Sequence, residues 1–146
     1  MSDNSSYILL VEDNPDDVEL TKLAFKKNNF ANRIEVANDG EEAIQFLFED
    51  HPNGVNKQGA PTFILLDLQL PKIKGHEVLR RIKQHDTMKY VPVIILTSSE
   101  QEEDIIKGYD YGANSFIRKP VDFKEFTSVV SNLGIYWMAV NKSIIV

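Results

Sequence analysis

Five polar side chains follow four of the five apolar runs in this sequence, each at the point where a run ends. Glu12 and Asp13 follow the first run, Asp67 the third, Thr97 the fourth and Lys119 the fifth. Three carboxylates held close together repel one another unless a counter-charge is present. Mg²⁺ would supply that charge, because it binds one or two carboxylates while it keeps water and substrate oxygens. We therefore expect Asp13 and Asp67 to bind Mg²⁺ or Mn²⁺ directly and Glu12 to act through water.

A carboxylate in such a place can also be a nucleophile that forms an aspartyl phosphate. Phosphoryl transfer requires mainly that the reactants are positioned and that charge on the equatorial oxygens is neutralised. The pattern predicts that Asp67 accepts a phosphoryl group, with Lys119 and Thr97 each near one of its oxygens. A backbone carbonyl near Gln69 would complete the metal ligands from the protein. Each residue alone has an ordinary explanation, since Thr97 could be a helix cap and Lys119 an exposed lysine. Their occurrence together, in order after successive strands, favours a phosphoryl-accepting site.

The strands and helices that would hold these residues are recognisable as apolar runs alternating with amphipathic stretches. Tyr7–Val11, residues 62–66 and residues 91–96 are continuous apolar runs, which are typical of strands buried on both faces. Shorter candidates occupy residues 34–36 and 115–117. Five strand–helix alternations imply an open, mostly parallel α/β sheet with helices on both faces. Ligands of such sheets bind beyond the carboxyl ends of the strands, where the polar residues are expected.

Each strand is followed by a helical pattern. Asn14 is the expected cap of the first helix, with Pro15 in its first turn. The expected buried residues are Val18, Leu20, Leu23, Ala24 and Phe25 in the first helix; Ala43, Phe46 and Leu47 in the second; Val78, Leu79 and Ile82 in the third; Ile105, Ile106 and Tyr109 in the fourth; Phe123, Phe126, Val130, Leu133 and Trp137 in the fifth.

Composition limits the classes of protein to consider. The chain has 146 residues, which suits one domain over residues 1–146, and no cysteine, which excludes disulfides and thiol catalysis. Its net charge of −6 argues against nucleic-acid binding. No apolar run approaches the roughly 20 residues of a membrane span, and no signal segment is visible. We therefore expect a cytoplasmic protein.

Several short motifs occur in order between residues 6 and 133. They are residues 10–14, residues 65–68, Pro71 followed by Gly75, Leu96 with Thr97, and Lys119 with Pro120. With these motifs the chain resembles the receiver domain of bacterial two-component systems, with an extension of the last helix to about residue 140. The resemblance implies a flavodoxin-like (CheY-like) fold with strand order 2-1-3-4-5. It also implies Mg²⁺ held by Glu12 and Asp13, and a cis peptide bond between Lys119 and Pro120.

The same resemblance implies a partner and a switch. Asp67 would be phosphorylated by a sensor histidine kinase or a histidine phosphotransfer protein. Thr97 would then move towards the phosphoryl group and Phe116 would turn inward, although Phe116 as a plain core residue remains an alternative. The output would be a protein contact through the fourth helix, fifth strand and fifth helix, and a homodimer through that face is a further expectation. The loop over residues 50–61 and the end at residues 134–137 are similar to single-domain response regulators that partner phytochromes.

Three other functions are compatible with an open parallel sheet of this kind. A phosphatase with an aspartyl-phosphate intermediate would need an acid/base two residues after the nucleophile, where this chain has Gln69, which cannot protonate a leaving group. A flavodoxin would need a phosphate-binding loop after the first strand, and residues 12–17 are strongly acidic there. A docking module that works without phosphorylation stays open. The expected protein is therefore a phosphoacceptor rather than an enzyme that turns over a substrate.

Other polar residues are not expected to belong to the site. His51, His76 and His85 lack a metal-ligand spacing and are expected to be exposed. Lys72 and Lys74 lie in the loop after Asp67 and are expected to be solvated, where they would at most steer a phosphorylated partner.

Overall fold

Five strands form one sheet in which every neighbouring pair is parallel. The computed structural model describes residues 7–27, 33–49, 60–68, 70, 72–97, 115–118, 124, 127, 128, 131 and 132, and only the backbone of residues 49, 96, 97 and 115–118. The strands are β1 (Tyr7–Val11), β2 (Arg33–Ala37), β3 (Ile64–Leu66), β4 (Val93–Thr97) and β5 (Ser115–Arg118). Their order is β2-β1-β3-β4-β5, which confirms the expected topology.

Helices occupy the connections between the strands. They are α1 (Pro15–Lys27), α2 (Gly40–Ile44), which continues as a π-helical turn over Gln45–Glu49, α3 (Gly75–Gln84) and a 3₁₀ turn over Met88–Tyr90. Lys124, Thr127, Ser128, Ser131 and Asn132 are also helical, within the range expected for the fifth helix. None of the helices in the described part of the chain is long and apolar enough to cross a membrane.

The start of α1 is determined by Asn14, as expected. Its Oδ1 accepts the backbone N–H groups of Asp16 at 2.8 Å and of Asp17 at 3.3 Å. Two of the donors that every helix N-terminus leaves unpaired are thereby satisfied. Asp16 and Asp17 in the first turn, with Lys26 and Lys27 in the last, also match the helix dipole.

The core has two layers, one on each face of the sheet. Alternate strand residues point to opposite faces, so Ile8 and Leu10 pack with α1 while Leu9 and Val11 pack with α2 and α3. The predicted stripe of α3 is confirmed, since Val78, Leu79 and Ile82 are fully buried. The strand residues of the α1 layer are Ile8, Leu10, Leu65 and Ile94, joined by Phe63 just before β3, and those of the other layer are Leu9, Val11, Ala37, Ile64, Leu66, Val93 and Ile95. The expectation of helices on both faces is confirmed.

The buried stripe of α1 differs from the predicted one. Leu23 is 52% exposed, and Thr21 is buried in its place. Helical geometry explains the exchange, because Val18, Thr21 and Ala24–Phe25 recur at intervals of three or four residues and Leu23 lies off that line. The Thr21 hydroxyl tolerates burial because it donates to the carbonyl of Asp17 at 2.8 Å. The prediction of a buried Leu23 was wrong.

Several expectations fall on residues outside the described ranges. These are the fourth helix with Ile105, Ile106 and Tyr109, the apolar residues of the fifth helix, the Lys119–Pro120 peptide bond, the loop over residues 50–59 and the C-terminal extension. They stay predictions.

Candidate functional site

Strand pairing alone brings the acidic residues to one edge of the sheet. Glu12 follows the last residue of β1, and its backbone N–H donates to Ala37 at 3.0 Å. Asp67 follows the last residue of β3, and its N–H donates to the carbonyl of Val11 at 3.1 Å. The ladder of hydrogen bonds thus continues one residue past each strand. It fixes where the backbones of Glu12 and Asp67 lie before any side chain interacts.

The side chains of Glu12, Asp13 and Asp67 meet at this edge. One carboxylate oxygen from each residue can be chosen so that all three lie within 4.8 Å of one another. Opposite ligands of an octahedral Mg²⁺ are about 4.2 Å apart, because each Mg–O distance is about 2.1 Å. The spacing therefore suits a single small divalent cation, with modest adjustment of the side chains.

Burial makes a cation the natural companion of these acids. Glu12 is 2% exposed and Asp67 is 7% exposed, whereas Asp13 is exposed. Burial disfavours a charged carboxylate, and a second carboxylate nearby disfavours it further. A single divalent cation would offset both effects. The donor set fits Mg²⁺ or Mn²⁺, since every ligand atom is a hard oxygen.

Glu12 is oriented by the turn into α1. Its Oε2 accepts the backbone N–H of Asn14 at 3.3 Å, so the carboxylate lies against the beginning of the helix. Asn14 in turn caps α1 through its side chain and accepts the N–H of Val18 at 3.0 Å through its carbonyl. The turn over residues 12–14 therefore links the end of β1, the Glu12 carboxylate and the start of α1. This arrangement leaves the exposed Asp13 on the open side of the cluster.

The loop after Asp67 is packed too tightly for any residue but glycine at position 75. The Gly75 N–H donates to the Leu68 carbonyl at 3.2 Å, which closes the loop. A Cβ at Gly75 would lie 2.4 Å from the carbonyl oxygen of Asp67 and 2.6 Å from the Cα of Leu68. Leu68 and Leu70 are buried, so the loop cannot easily retreat. The N-terminus of α3 thus presses directly on the backbone of Asp67.

The backbone places Thr97 and the residue before Lys119 at the same end of the sheet. Thr97 is the last residue of β4, and it pairs with Arg118, the last residue of β5. The expected positions of Thr97 and Lys119, at the ends of the fourth and fifth strands, therefore agree with the strand bounds. The side chains of Thr97 and Phe116, and all of Gln69, Lys119 and Pro120, lie outside the described atoms.

A feature that the sequence did not predict is an ion pair between two loops at this edge. The Lys72 Nζ lies 3.4 Å from Asp39 Oδ2 and 3.6 Å from Glu41 Oε1. Asp39 also caps α2, because its Oδ1 accepts the N–H of Glu42 at 2.8 Å. That backbone hydrogen bond, followed by the Lys72 charge, holds the pKa of Asp39 below its usual value. The Asp39 charge conversely raises the pKa of Lys72.

The histidines also differ from expectation. His76 and His85 are half-buried rather than exposed, and His51 is outside the described residues. His85 Nδ1 accepts the backbone N–H groups of Thr87 and Met88, both at 3.1 Å, and its ring stacks on Phe48 at 4.8 Å. His85 therefore caps the 3₁₀ turn, which is a structural role, and it is not a member of the acidic cluster.

Comparison with known proteins agrees with this geometry. Residues 8–131 match the family model described as the response regulator receiver domain. A probable methanogenesis regulatory protein, FilR2 of Methanothrix harundinacea (strain 6Ac), is 38% identical over 136 residues, which are 93% of this chain and 86% of that protein. Response regulator Rcp1 of Synechocystis sp. (strain ATCC 27184 / PCC 6803 / Kazusa) is 35% identical, over 94% of this chain and 95% of its own.

Two solved structures have the same fold over nearly all of both chains. The phosphorylated cyanobacterial phytochrome response regulator RcpA superposes with a TM-score of 0.82 at 34% identity, covering 91% of this chain and 94% of its own. The Mn²⁺-bound form of Rcp1 superposes with a TM-score of 0.80 at 33% identity, covering 92% and 95%. With the strand order, the acidic cluster and the family match together, this chain belongs to the response regulator receiver domain family of two-component signalling.

Proposed function

We propose that this protein is a switch that accepts one phosphoryl group on Asp67 in a reaction that requires Mg²⁺. The observation that carries the proposal is the convergence of Glu12, Asp13 and Asp67, whose carboxylate oxygens lie within 4.8 Å. Of these three acids, Asp67 is the one that follows the middle strand of the sheet, β3. Its phosphorylated form would favour a different contact with another protein.

The metal would be held by Asp13 and Asp67, with Glu12 acting through water and the backbone carbonyl of Gln69 completing the protein ligands. When bound, a divalent cation offsets charge on the phosphoryl oxygens and on the attacking carboxylate. A related structure supports a divalent site, since Rcp1 has been solved in a Mn²⁺-bound form. The hard oxygen ligands of this chain support the same choice of ion.

The transfer itself is a displacement at phosphorus. An oxygen of the Asp67 carboxylate forms a bond to the phosphorus of a phosphohistidine while the bond from phosphorus to the imidazole nitrogen breaks. The electron pair of that bond stays on the nitrogen, which takes up a proton. Attack by water on the phosphorus of the aspartyl phosphate later releases inorganic phosphate and restores the carboxylate. Lys119 and Thr97 would each donate to a phosphoryl oxygen, which lowers the charge that develops there.

The relatives also suggest which protein donates the phosphoryl group and how the signal is passed on. Among the relatives, RcpA is named a phytochrome response regulator, so we propose a sensor histidine kinase of the phytochrome class, or a histidine phosphotransfer protein, as the donor. Thr97 and Phe116 would carry the change to the face formed by the fourth helix, β5 and the fifth helix. A partner protein or a second copy of the chain would bind there. The switch would act in the cytoplasm, without nucleic acid or membrane as a ligand.

Phosphoramidate is the small-molecule donor that tests this proposal, because its phosphorus–nitrogen bond resembles that of phosphohistidine. We expect the intact mass to rise by one phosphoryl group in Mg²⁺, and to stay unchanged in EDTA. We expect no catalytic turnover of p-nitrophenyl phosphate, since Gln69 replaces the acid that a phosphatase needs. Sustained turnover of that ester would instead indicate a phosphatase. No mass gain, under conditions that modify a known receiver, would favour a docking module that works without phosphorylation.

A further inference from the structure

The loop that follows Asp67 is fastened to the beginning of α2 by charge. Lys72 lies five residues after Asp67, and its ammonium group pairs with both Asp39 and Glu41. Asp39 is itself held in place by the N–H of Glu42, and Glu42 reaches back to accept the N–H of Asn38. The two acids therefore belong to the start of α2, whereas Lys72 belongs to the loop after Asp67.

The backbones of the same two loops are in close contact. A Cβ at Gly40 would lie 2.0 Å from the carbonyl oxygen of Ile73, so any other residue at position 40 would push the loop after Asp67 away. Lys72 has a φ of 65°, and it is the one non-glycine residue with positive φ among those described. An L-residue other than Asn or Asp seldom adopts that conformation, which indicates that its surroundings enforce it.

This contact is connected to the candidate site through Gly75. The Gly75 N–H bonds to Leu68, and the helix start packs on the Asp67 carbonyl. Lys72 and Ile73 immediately precede that helix start. A shift of residues 72–73 would therefore be transmitted to the backbone of Asp67 over very few residues. Lys72 itself is exposed and pairs with acids other than the candidate metal ligands.

We infer that Lys72 is a positioning residue, which holds the loop after Asp67 for divalent-cation binding through its ion pairs with Asp39 and Glu41. The inference rests on the proposed function of the Glu12–Asp13–Asp67 cluster. In this proposal Lys72 pairs with Asp39 and Glu41 and would not itself bind the metal or the phosphoryl group. Its effect on the metal is indirect, through the loop.

Whether replacement of Lys72 weakens or strengthens cation binding distinguishes a positioning role from a purely electrostatic one. Removing a positive charge near an acidic cluster strengthens cation binding if only long-range attraction matters. Removing a positioning contact weakens cation binding, because the carboxylates lose their preset arrangement. The two mechanisms thus predict opposite changes in the dissociation constant for the same substitution.

The experiment is a titration of the full chain with Mn²⁺, in which free Mn²⁺ is measured by electron paramagnetic resonance. Lys72→Met and Lys72→Asn should raise the dissociation constant about two- to fivefold, the range that an exposed ion pair can supply. The Asn variant tolerates the left-handed backbone, so it removes the charge without adding strain. Lys72→Arg should restore the wild-type value. Lys74→Met removes a lysine of the same loop and should leave binding equal or slightly tighter.

Gly40→Ala provides a second route to the same displacement and should weaken binding in the same direction. Thermal unfolding of each variant checks that the comparison is made on folded protein. If both Lys72 variants bind Mn²⁺ as tightly as wild type or more tightly, the positioning role is wrong. If wild type binds no Mn²⁺, the proposed metal site fails, and the role of Lys72 falls with it for that separate reason.

Discussion

The backbone N–H of Asp67 donates to the carbonyl of Val11 at 3.1 Å. Val11 is the last residue of β1, and Asp67 lies one residue past the end of β3. This bond sets the expected phosphoacceptor directly beside the turn that carries Glu12 and Asp13. Repulsion between the three carboxylates is therefore an unavoidable consequence of the sheet register. Repulsion between the acids lowers the stability of the folded protein, and the chain would keep that cost if the acids are needed for function.

Removal of one of these charges should stabilise the protein when no divalent cation is present. We expect Asp67→Asn in EDTA to raise the free energy of unfolding by about 0.5–2 kcal/mol, because like charges in a buried cluster repel. The same variant should lose most of the stabilisation by Mg²⁺, which for wild type would be about 2.7 kcal/mol at a hundredfold excess over Kd. Urea unfolding in EDTA and in Mg²⁺ measures both changes.

Asp86→Asn is the matched control for that experiment, because Asp86 is an exposed acid outside the cluster. It should change stability by less than about 0.5 kcal/mol in either buffer. If Asp67→Asn lowers the free energy of unfolding in EDTA, repulsion from Glu12 and Asp13 does not destabilise the Asp67 carboxylate.

Gly75→Ala should destabilise the protein, against the usual trend for helices. Alanine is normally better than glycine in a helix by about 1 kcal/mol. Here the added Cβ would lie 2.4 Å from the Asp67 carbonyl oxygen, so we expect a net loss of about 1–3 kcal/mol from the forced displacement. Chemical unfolding gives the sign directly. Lys74→Ala, one residue earlier and exposed, should have little effect, and a stabilising Gly75→Ala would mean that the loop moves freely.

The two faces of α1 should respond differently to truncation. Phe25 is buried against the sheet and Leu23 is 52% exposed. Phe25→Ala should cost about 3–5 kcal/mol, whereas Leu23→Ala should cost well under 1 kcal/mol. Equal losses in a denaturant titration would show that Leu23 is covered in solution, either by another part of the chain or by a second copy.

Tyr7 should make the protein sensitive to alkali. Its ring is buried between Arg33 and Phe46, and burial raises the pKa of its hydroxyl well above the usual value. A group with a raised pKa contributes stability that is complete below the unfolded value, near 10, and is lost as the pH rises towards the folded value. Each pH unit in that window should remove up to about 1.4 kcal/mol through this residue.

Tyr7→Phe should flatten the fall of stability above pH 10, since phenylalanine has no proton to lose. Tyr90→Phe is the control, because Tyr90 is exposed. The comparison uses the slope of unfolding free energy against pH, so any constant cost of removing the hydroxyl cancels. Identical slopes for wild type and Tyr7→Phe would show that Tyr7 ionises as easily when folded as when unfolded.

Periodicity along the chain predicted the parts of the fold that depend on burial. The run Tyr7–Val11 became a strand with both faces covered, and Val78, Leu79 and Ile82 became the buried stripe of α3. The strand ends also predicted that Glu12, Asp13 and Asp67 would meet, because parallel strands bring their carboxyl ends to one edge. These features follow from local patterns and one topological rule.

The features that the sequence did not reveal depend on contacts between distant segments. Thr21 is buried where Leu23 was expected. Hydropathy alone could not predict this, because it does not show that the Thr21 hydroxyl donates to a carbonyl of its own helix. The close packing of Gly75 on Asp67 requires the path of a loop, which no periodicity encodes. The pair of Lys72 with Asp39 joins residues from two crossovers, and either residue alone would be interpreted as solvated or as a cap.

Locating the phosphoryl group on the chain shows whether Asp67 is the phosphoacceptor. The protein is incubated with acetyl phosphate and Mg²⁺, reduced with borohydride, which converts an aspartyl phosphate to homoserine, and mapped by peptide mass spectrometry. We predict homoserine at position 67 alone, and none in EDTA or in Asp67→Asn. Modification at another residue, or none at position 67 while a known receiver is modified under the same conditions, would contradict the assignment of Asp67 as the phosphoacceptor.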